Sequence, residues 1–561
     1  MVTITAPRGV TIRRAHGDNM RDTIERITED LKELKKFYPI EISSKRIQRL
    51  RQFLICELNT LRGQPFHLYE QQEKVDYLLI KNYLERELRE LELGSTRDQK
   101  TMPLLPFANS IVSLCEARAT VSAMNPKDTA QQLFKMQMQI DETVSKINNN
   151  YTQFDLNKSS AFRAANIVGS LKGHLQEWFD FYKGYDPLFN WWVSAPYQAV
   201  KKLLDIIEKA IREKLVGIEP GNEDAIVGQP IGREGLLAEL QAEMIPYTPE
   251  ELISIGEKEL DWCMAEMKKA SKSLGYEDWH DALEHVKNDY IEPGQQTQLV
   301  YDLMQEAISF VEKHDLVRVP PLAKETLQMF MMSPERQKVN PFFLGGECII
   351  VSYPVESMDH EAKLMSMRGN NIHFSRATVF HEMIPGHHLQ LFMNARHRPY
   401  RQLFDTPFSI EGWALYWEFL LWNDDRFKKT PQNRIGMLFW RLHRCARIIF
   451  SINFHLGRMS PQECIDLLVD QVGHERATAE GEVRRSLNGD YSPLYQAGYM
   501  LGALQIYALR KEMVESGRIA EKEFHDRFLK GNCMPIELAR ALMRDQELSP
   551  DFKTSWRFYS L

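Results

Sequence analysis

The sequence predicts a mainly α fold, a large helical body with one small β-sheet beside a cleft. Three observations carry that expectation. Apolar residues recur three and four apart through most of the 561 residues, the spacing of a single helix face. Helix starts are written out as caps, most completely at Tyr247-Thr248-Pro249-Glu250-Glu251. There Thr248 is placed as N-cap, Pro249 at the first helical position and Glu251 three residues after the cap. Only residues 317–354 depart from this, with the runs VRVPP, ETLQMFMM and FFLGGECIIVSYP. Short β-like stretches punctuated by Pro and Gly predict the small sheet there.

In chain order, residues 1–16 carry no periodicity and are expected as an extended or frayed arm. From 18 to 93, Ile24, Ile27, Leu31 and Leu34, then Leu54, Leu58 and Leu61, mark helix faces, and Pro39 and Gly63-Gln64-Pro65 divide them. Helices are expected at 105–122, at 129–147 up to the Asn148-Asn149-Asn150 stop, at 159–182 and at 197–215. The loop GIEPGNEDAIVGQ at 217–229 is read as a lobe boundary. It gives an N-terminal helical lobe at 1–225 and a second, site-bearing helical lobe at 226–561. After the capped helix that runs to about 274, helices are expected at 279–287 and 295–314. Beyond the sheet they resume, with segments at 409–423, 433–455, 461–473, 478–486, 497–516 and 521–529.

Composition narrows the class. Hydrophobic residues at 43% and charged residues at 26% are those of a soluble globular protein. A formal charge of -7 leaves no nucleic-acid footprint. No stretch approaches the roughly 20 apolar residues that span a bilayer, and the N-terminal MVTITAPRGVTIRR lacks the apolar core of a signal peptide. Seven scattered cysteines without a CxxC pair predict reduced thiols and a cytoplasmic protein.

The chemistry concentrates in ATVFHEMIPGHHLQ at 377–390 and FSIEGWALYWE at 408–418. Imidazoles and carboxylates set among apolar residues are costly to bury unless something pairs with them, and a divalent metal does so. His381, His387 and Glu411 would supply three ligands of a zinc site with the fourth position open. The zinc-peptidase pattern of two histidines one turn apart is interrupted, because Pro385 stands four residues after His381. Proline removes a helical hydrogen bond and clashes with the carbonyl of residue 381, so the helix must kink or bulge. A two-residue bulge at Pro385-Gly386 returns His387 to the ligand position. His388 is the alternative ligand, or a group beyond the ligands. Glu418 lies two turns beyond Glu411 and is placed to orient a ligand histidine. Glu382 is the candidate general base.

These motifs resemble the domain-of-unknown-function-885 family. The resemblance rests on His-Glu-x-x-Pro-Gly-His-His-x-x-Gln followed by Glu-Gly-Trp-Ala-Leu-Tyr-x-Glu. MSMRGNNIHF at 365–374, HRCARIIFSINFH at 443–455, VGHERATAEGEVRR at 472–485 and YSPLYQAGYMLG at 491–502 extend it. The segment 411–418 is also similar to the glutamate-bearing helix of thimet-oligopeptidase-like and thermostable-carboxypeptidase-like peptidases. What the resemblance implies is a gluzincin-type helical metallopeptidase fold, its small sheet beside a zinc-site cleft. In peptidases of that shape a Tyr or His from a later helix steadies the oxyanion. Tyr499, with Tyr495, and His455 are the candidates here, and Arg485 is the candidate for a substrate carboxylate or carbonyl.

The function expected is therefore zinc-dependent hydrolysis of amide bonds in short peptides. Hydrolysis or rearrangement of a small non-peptide metabolite is the alternative. A non-haem iron enzyme and a non-catalytic scaffold rank below both. The expected partner is a small molecule or short peptide, with neither nucleic acid nor membrane.

Overall fold

Helices dominate the computed structural model, which describes residues 20–150, 154, 156–184, 186–222, 225–337 and 342–561. The arm expected at 1–16 lies outside the described residues. The first helices are Met20–Phe37, Ser44–Arg62 and Gln71–Thr101, broken where Pro39 and Gly63-Gln64-Pro65 predict. Ala108–Ala119, Pro126–Asn150, Lys158–Tyr182 and Pro187–Ala210 follow. The last begins ten residues before the expected start. Asp186 caps it by accepting from the N–H groups of Leu188 and Phe189, and Pro187 takes the first position.

The apolar cores do not divide at the 225/226 boundary. One core joins Ile40 to Phe107, Leu133, Trp178, Phe189 and Tyr197. The other joins Ile24, Leu54 and Leu79 to Leu252, Trp417 and Phe450. The first three helices thus pack on the second half of the chain. Buried pairing fixes them there: Arg401 donates to Asp76 at 2.7 Å and Arg86 to Glu239 at 2.6 Å.

The Thr248 cap is present, its hydroxyl accepting from Glu251 N–H at 3.2 Å while Glu251 accepts from Thr248 N–H at 2.8 Å. It starts the helix Pro249–Ser273, which packs along Pro431–His455. The sheet is smaller than the sequence suggests. β1 (Met329–Met331) pairs in parallel with β2 (Ile349–Val351), and Leu344 bridges to Ile350. Pro321 and Pro334 instead begin the short helices Pro321–Glu325 and Pro334–Gln337, because proline suits a first helical turn and lacks a ladder donor.

Beyond the sheet, the helices Ile372–Glu382, His387–Asn394, Pro407–Asn423, Pro431–His455, Arg476–Leu487 and Tyr495–Arg510 each bring side chains to one cavity. Pro407–Asn423 and Tyr495–Arg510 meet backbone to backbone. A Cβ at Gly412 would stand 2.7 Å from the Gly502 backbone, and one at Gly502 2.2 Å from the Phe408 carbonyl oxygen. Only glycine permits that approach, and it sets Tyr495 against Glu411. Among the described residues no helix is long and apolar enough to cross a membrane.

Candidate metal centre

The helix Ile372–Glu382 is started by Asn371, whose side chain accepts from the N–H groups of His373 and Phe374. It ends at the break that Pro385 imposes. Met383 N–H still reaches the Val379 carbonyl at 3.0 Å, and a fresh helix begins at His387. The sequence expectation of a kink becomes two separate helices. Trp413 Nε1–H donates to the Pro385 carbonyl at 3.0 Å, satisfying the carbonyl exposed by the break. Gly386 is required for close approach: a Cβ there would stand 1.8 Å from the His381 carbonyl oxygen.

This break brings His381 and His387 together, with ring centroids 4.8 Å apart and planes near perpendicular at 85°. Glu411 completes the cluster. Its Oε2 lies 3.1 Å from His387 Nε2 and 3.4 Å from His381 Nε2. One ligand atom from each of the three residues lies within 4.8 Å of the others, and all three are buried. His381 Nδ1 faces Glu418 Oε1 at 3.0 Å, and Arg444 donates to that same oxygen at 3.2 Å. Tyr495 Oη donates to Glu411 Oε1 at 2.5 Å. Each carboxylate aimed at the histidines is therefore held by a further donor, Glu411 by Tyr495 and Glu418 by Arg444.

Burial works against charge on His381, yet the hydrogen bonds of Glu411 and Glu418 and the charge of Glu382 carry its pKa up to about 9. Burial equally opposes charge on Glu411. His387 and His381 outweigh it and hold that carboxyl well below the usual range. Pairing of this kind is the condition for burying such groups at all.

Glu382 faces the same cavity. Its Oε2 accepts from Gly345 N–H at 2.7 Å, so the chain between the Leu344 bridge and β2 aims the carboxylate. The cavity holds about 230 Å³. Tyr499 lines it with its ring stacked on His381, centroids 6.1 Å apart. Arg485 lines it as well.

Two sequence candidates lie elsewhere. His388 turns away, its Nδ1 facing the Gly346 and Glu347 carbonyls at 3.2 and 3.1 Å and its Nε2 the Ala323 carbonyl at 2.9 Å. It ties two backbone segments together. His455 is no part of the cavity. It ends the helix that carries His443, Arg444 and Arg447 into the cavity, and eight residues of rise past Arg447 take it about 12 Å along the axis. There burial and the nearby Arg97 lower its pKa to about 4.

Sequence reasoning missed His443, Arg444 and Arg447 as site residues. Their signal is the recurrence of polar residues at positions 443, 444 and 447, the spacing of one helix face. Glu482 accepts from Arg447 Nε at 2.7 Å. Behind this wall His474 Nε2 and His443 Nδ1 share a hydrogen bond of 2.9 Å.

A family model described as "Bacterial protein of unknown function (DUF885)" matches residues 41–543. No curated sequence relative matches the chain. Two solved structures are similar in fold. One is described as a "putative lipoprotein of unknown function" from Shewanella oneidensis, 17% identical, with TM-score 0.66 over 94% of this chain and 100% of that one. The other is described as a "putative lipoprotein" from Colwellia psychrerythraea, 15% identical, with TM-score 0.60 over 94% of this chain and 98% of that one.

Proposed function

The chain belongs to the DUF885 family, whose description assigns no activity, and from its own site we propose that it is a zinc-dependent hydrolase of amide bonds acting on short peptides. The observation that carries this reading is the His381, His387 and Glu411 cluster with Glu382 next to the first histidine and facing the same cavity. The donor set suits zinc. Ligand atoms about 2.0–2.2 Å from a tetrahedral ion stand about 3.3 Å from one another, close to the 3.1 and 3.4 Å found here.

Bound zinc would supply Lewis-acid polarisation of the scissile carbonyl and an acidified water. The chain's own residues do the rest. Glu382 accepts the proton of the attacking water and passes it to the leaving amine. Gly345 N–H holds that carboxylate in place. Tyr499 faces the cavity and offers its hydroxyl to the oxygen that gains charge. Tyr495 has its proton committed to Glu411 and acts by holding that carboxylate. The helical fold with its small sheet beside this cleft suits the gluzincin-type arrangement. Cytoplasmic location belongs to the same proposal and rests on seven free cysteines.

A second reading, hydrolysis of a small non-peptide amide, is supported by the cavity's modest 230 Å³, below the usual range of about 300–1,000 Å³. A panel of short peptides beside small-metabolite amides separates the two. Peptide cleavage that a chelator abolishes and zinc restores is the expected result. Turnover of metabolite amides with intact peptides would transfer the assignment to the second reading.

A further inference from the structure

We infer that the metal-bearing cavity is the inner end of a longer substrate channel, whose outer chamber takes a stretch of peptide with small, uncharged side chains. The chamber rests on the fold alone. The peptide as its occupant rests on the hydrolase reading.

The cavity beside His381, about 230 Å³, is smaller than the usual ligand site of about 300–1,000 Å³. A second, larger cavity of about 580 Å³ lies among the described residues. Three elements line both, and each passes from one to the other within a single helical turn. In Pro334–Gln337, Arg336 lines the metal cavity and Gln337 the chamber. In His360–Gly369, Gly369 lines the metal cavity, with Ser366 and Ala362 in the chamber. In Arg476–Leu487, Arg485 lines the metal cavity, with Gly481 and Ala477 in the chamber.

Exposure falls along this path. Ala477 and Asp359 are exposed, Ala362 and Gly481 half-buried, and Ser366 buried. The chamber therefore opens to solvent at its far end and leads inward toward the metal centre. From Ala362 to Gly369, and from Ala477 to Arg485, the helical rise is about 10–12 Å. That accommodates about three extended residues at about 3.3–3.6 Å each.

The walls specify the occupant. Of the described lining residues only Asp359 is charged, and it caps a helix, accepting from Ala362 N–H at 2.8 Å. The small residues at 362, 477 and 481 keep the walls close to the backbone. A Cβ at Gly481 would meet nothing within 4 Å. The buried Ser366 hydroxyl has no hydrogen-bond partner among the described residues, and a peptide N–H or C=O would supply the bond it lacks. A charged side chain beside Ser366 would lose its water without gaining a partner.

Neutral alanine and serine peptides, from dipeptide to pentapeptide, test the channel on the purified protein supplied with zinc. Over that series kcat/KM should rise at least about tenfold, the equivalent of one or two net hydrogen bonds. Glutamate placed at whichever end confers the gain should abolish it. Gly481→Leu fills the chamber and should cut the pentapeptide-to-dipeptide ratio below about twofold. Gly481→Ala adds one methyl and should keep most of the ratio. Both substitutions raise helix propensity, and a ratio cancels any general loss of activity. Calorimetric titration of the same peptides into Glu382→Gln reads binding without turnover and should show the same dependence on length. Rates and affinities independent of length would overturn the inference and leave the hydrolase reading standing. So would a gain that survives glutamate, or one that Gly481→Leu and Gly481→Ala change alike. Length-dependent binding that Gly481→Leu removes, with no peptide cleaved at any length, would keep the channel and remove the hydrolase reading.

Discussion

Glu382→Gln should leave the fold and the metal in place and lower kcat about 10³-fold, within the range that a positioned general base contributes. The substitution is nearly isosteric, and the amide oxygen can still accept from Gly345 N–H, the bond that orients Glu382 at 2.7 Å. What is lost is the capacity to take a proton from water and return it to an amine. Metal stoichiometry and thermal unfolding of the variant separate this from a structural effect. Activity within a factor of ten of the wild type, with metal retained, would remove Glu382 from the role of base.

Gly386→Ala should be the most damaging single-methyl substitution near the site. Its Cβ would stand 1.8 Å from the His381 carbonyl oxygen and 2.5 Å from that of Phe380. Backbone atoms cannot absorb such an overlap as a flexible side chain can, so the two histidine helices must separate. A cost of about 2 kcal/mol or more follows from overpacking of this severity. The displacement falls directly on His387, the next residue. Zinc affinity, read by competition with a chromophoric chelator, should fall at least about tenfold. Unchanged stability and affinity in this variant would show that the close contact does not set the ligand geometry.

Much of the helical fold was legible in the sequence because caps and breakers act locally. The Thr248 box, Pro39 and Gly63-Gln64-Pro65 each decide a few dihedrals, and the helices begin and end beside them. Long-range pairing was not legible. The first three helices belong with the second half of the chain because Asp76 meets Arg401 and Arg86 meets Glu239, partners that no local pattern joins. The sheet was overread for a related reason. Its apolar runs resemble strands, but ladder pairing spares only three residues in each.

Within the site, the three metal-ligand candidates could be named from residue type and spacing. The choice between His387 and His388 depended on the geometry of Pro385-Gly386, which sequence leaves open between a kink and a bulge. The structure puts His387 beside Glu411 and His388 against backbone carbonyls. His455 was drawn in by its residue type, although its place along the helix sets it two turns beyond the cavity. Arg447 escaped notice because its ion pair with Glu482 joins separate helices and leaves no mark on either segment alone.

Metal content bears most directly on the central claim. Mass spectrometry of the purified wild type, beside a His381→Ala/Glu411→Ala double variant, should find about one zinc per wild-type chain and none in the variant. Iron at that stoichiometry would redirect the chemistry toward oxygen activation. Protein prepared without chelator that binds no added zinc would contradict the account, and would leave His381, His387 and Glu411 as a buried cluster held together by its own hydrogen bonds.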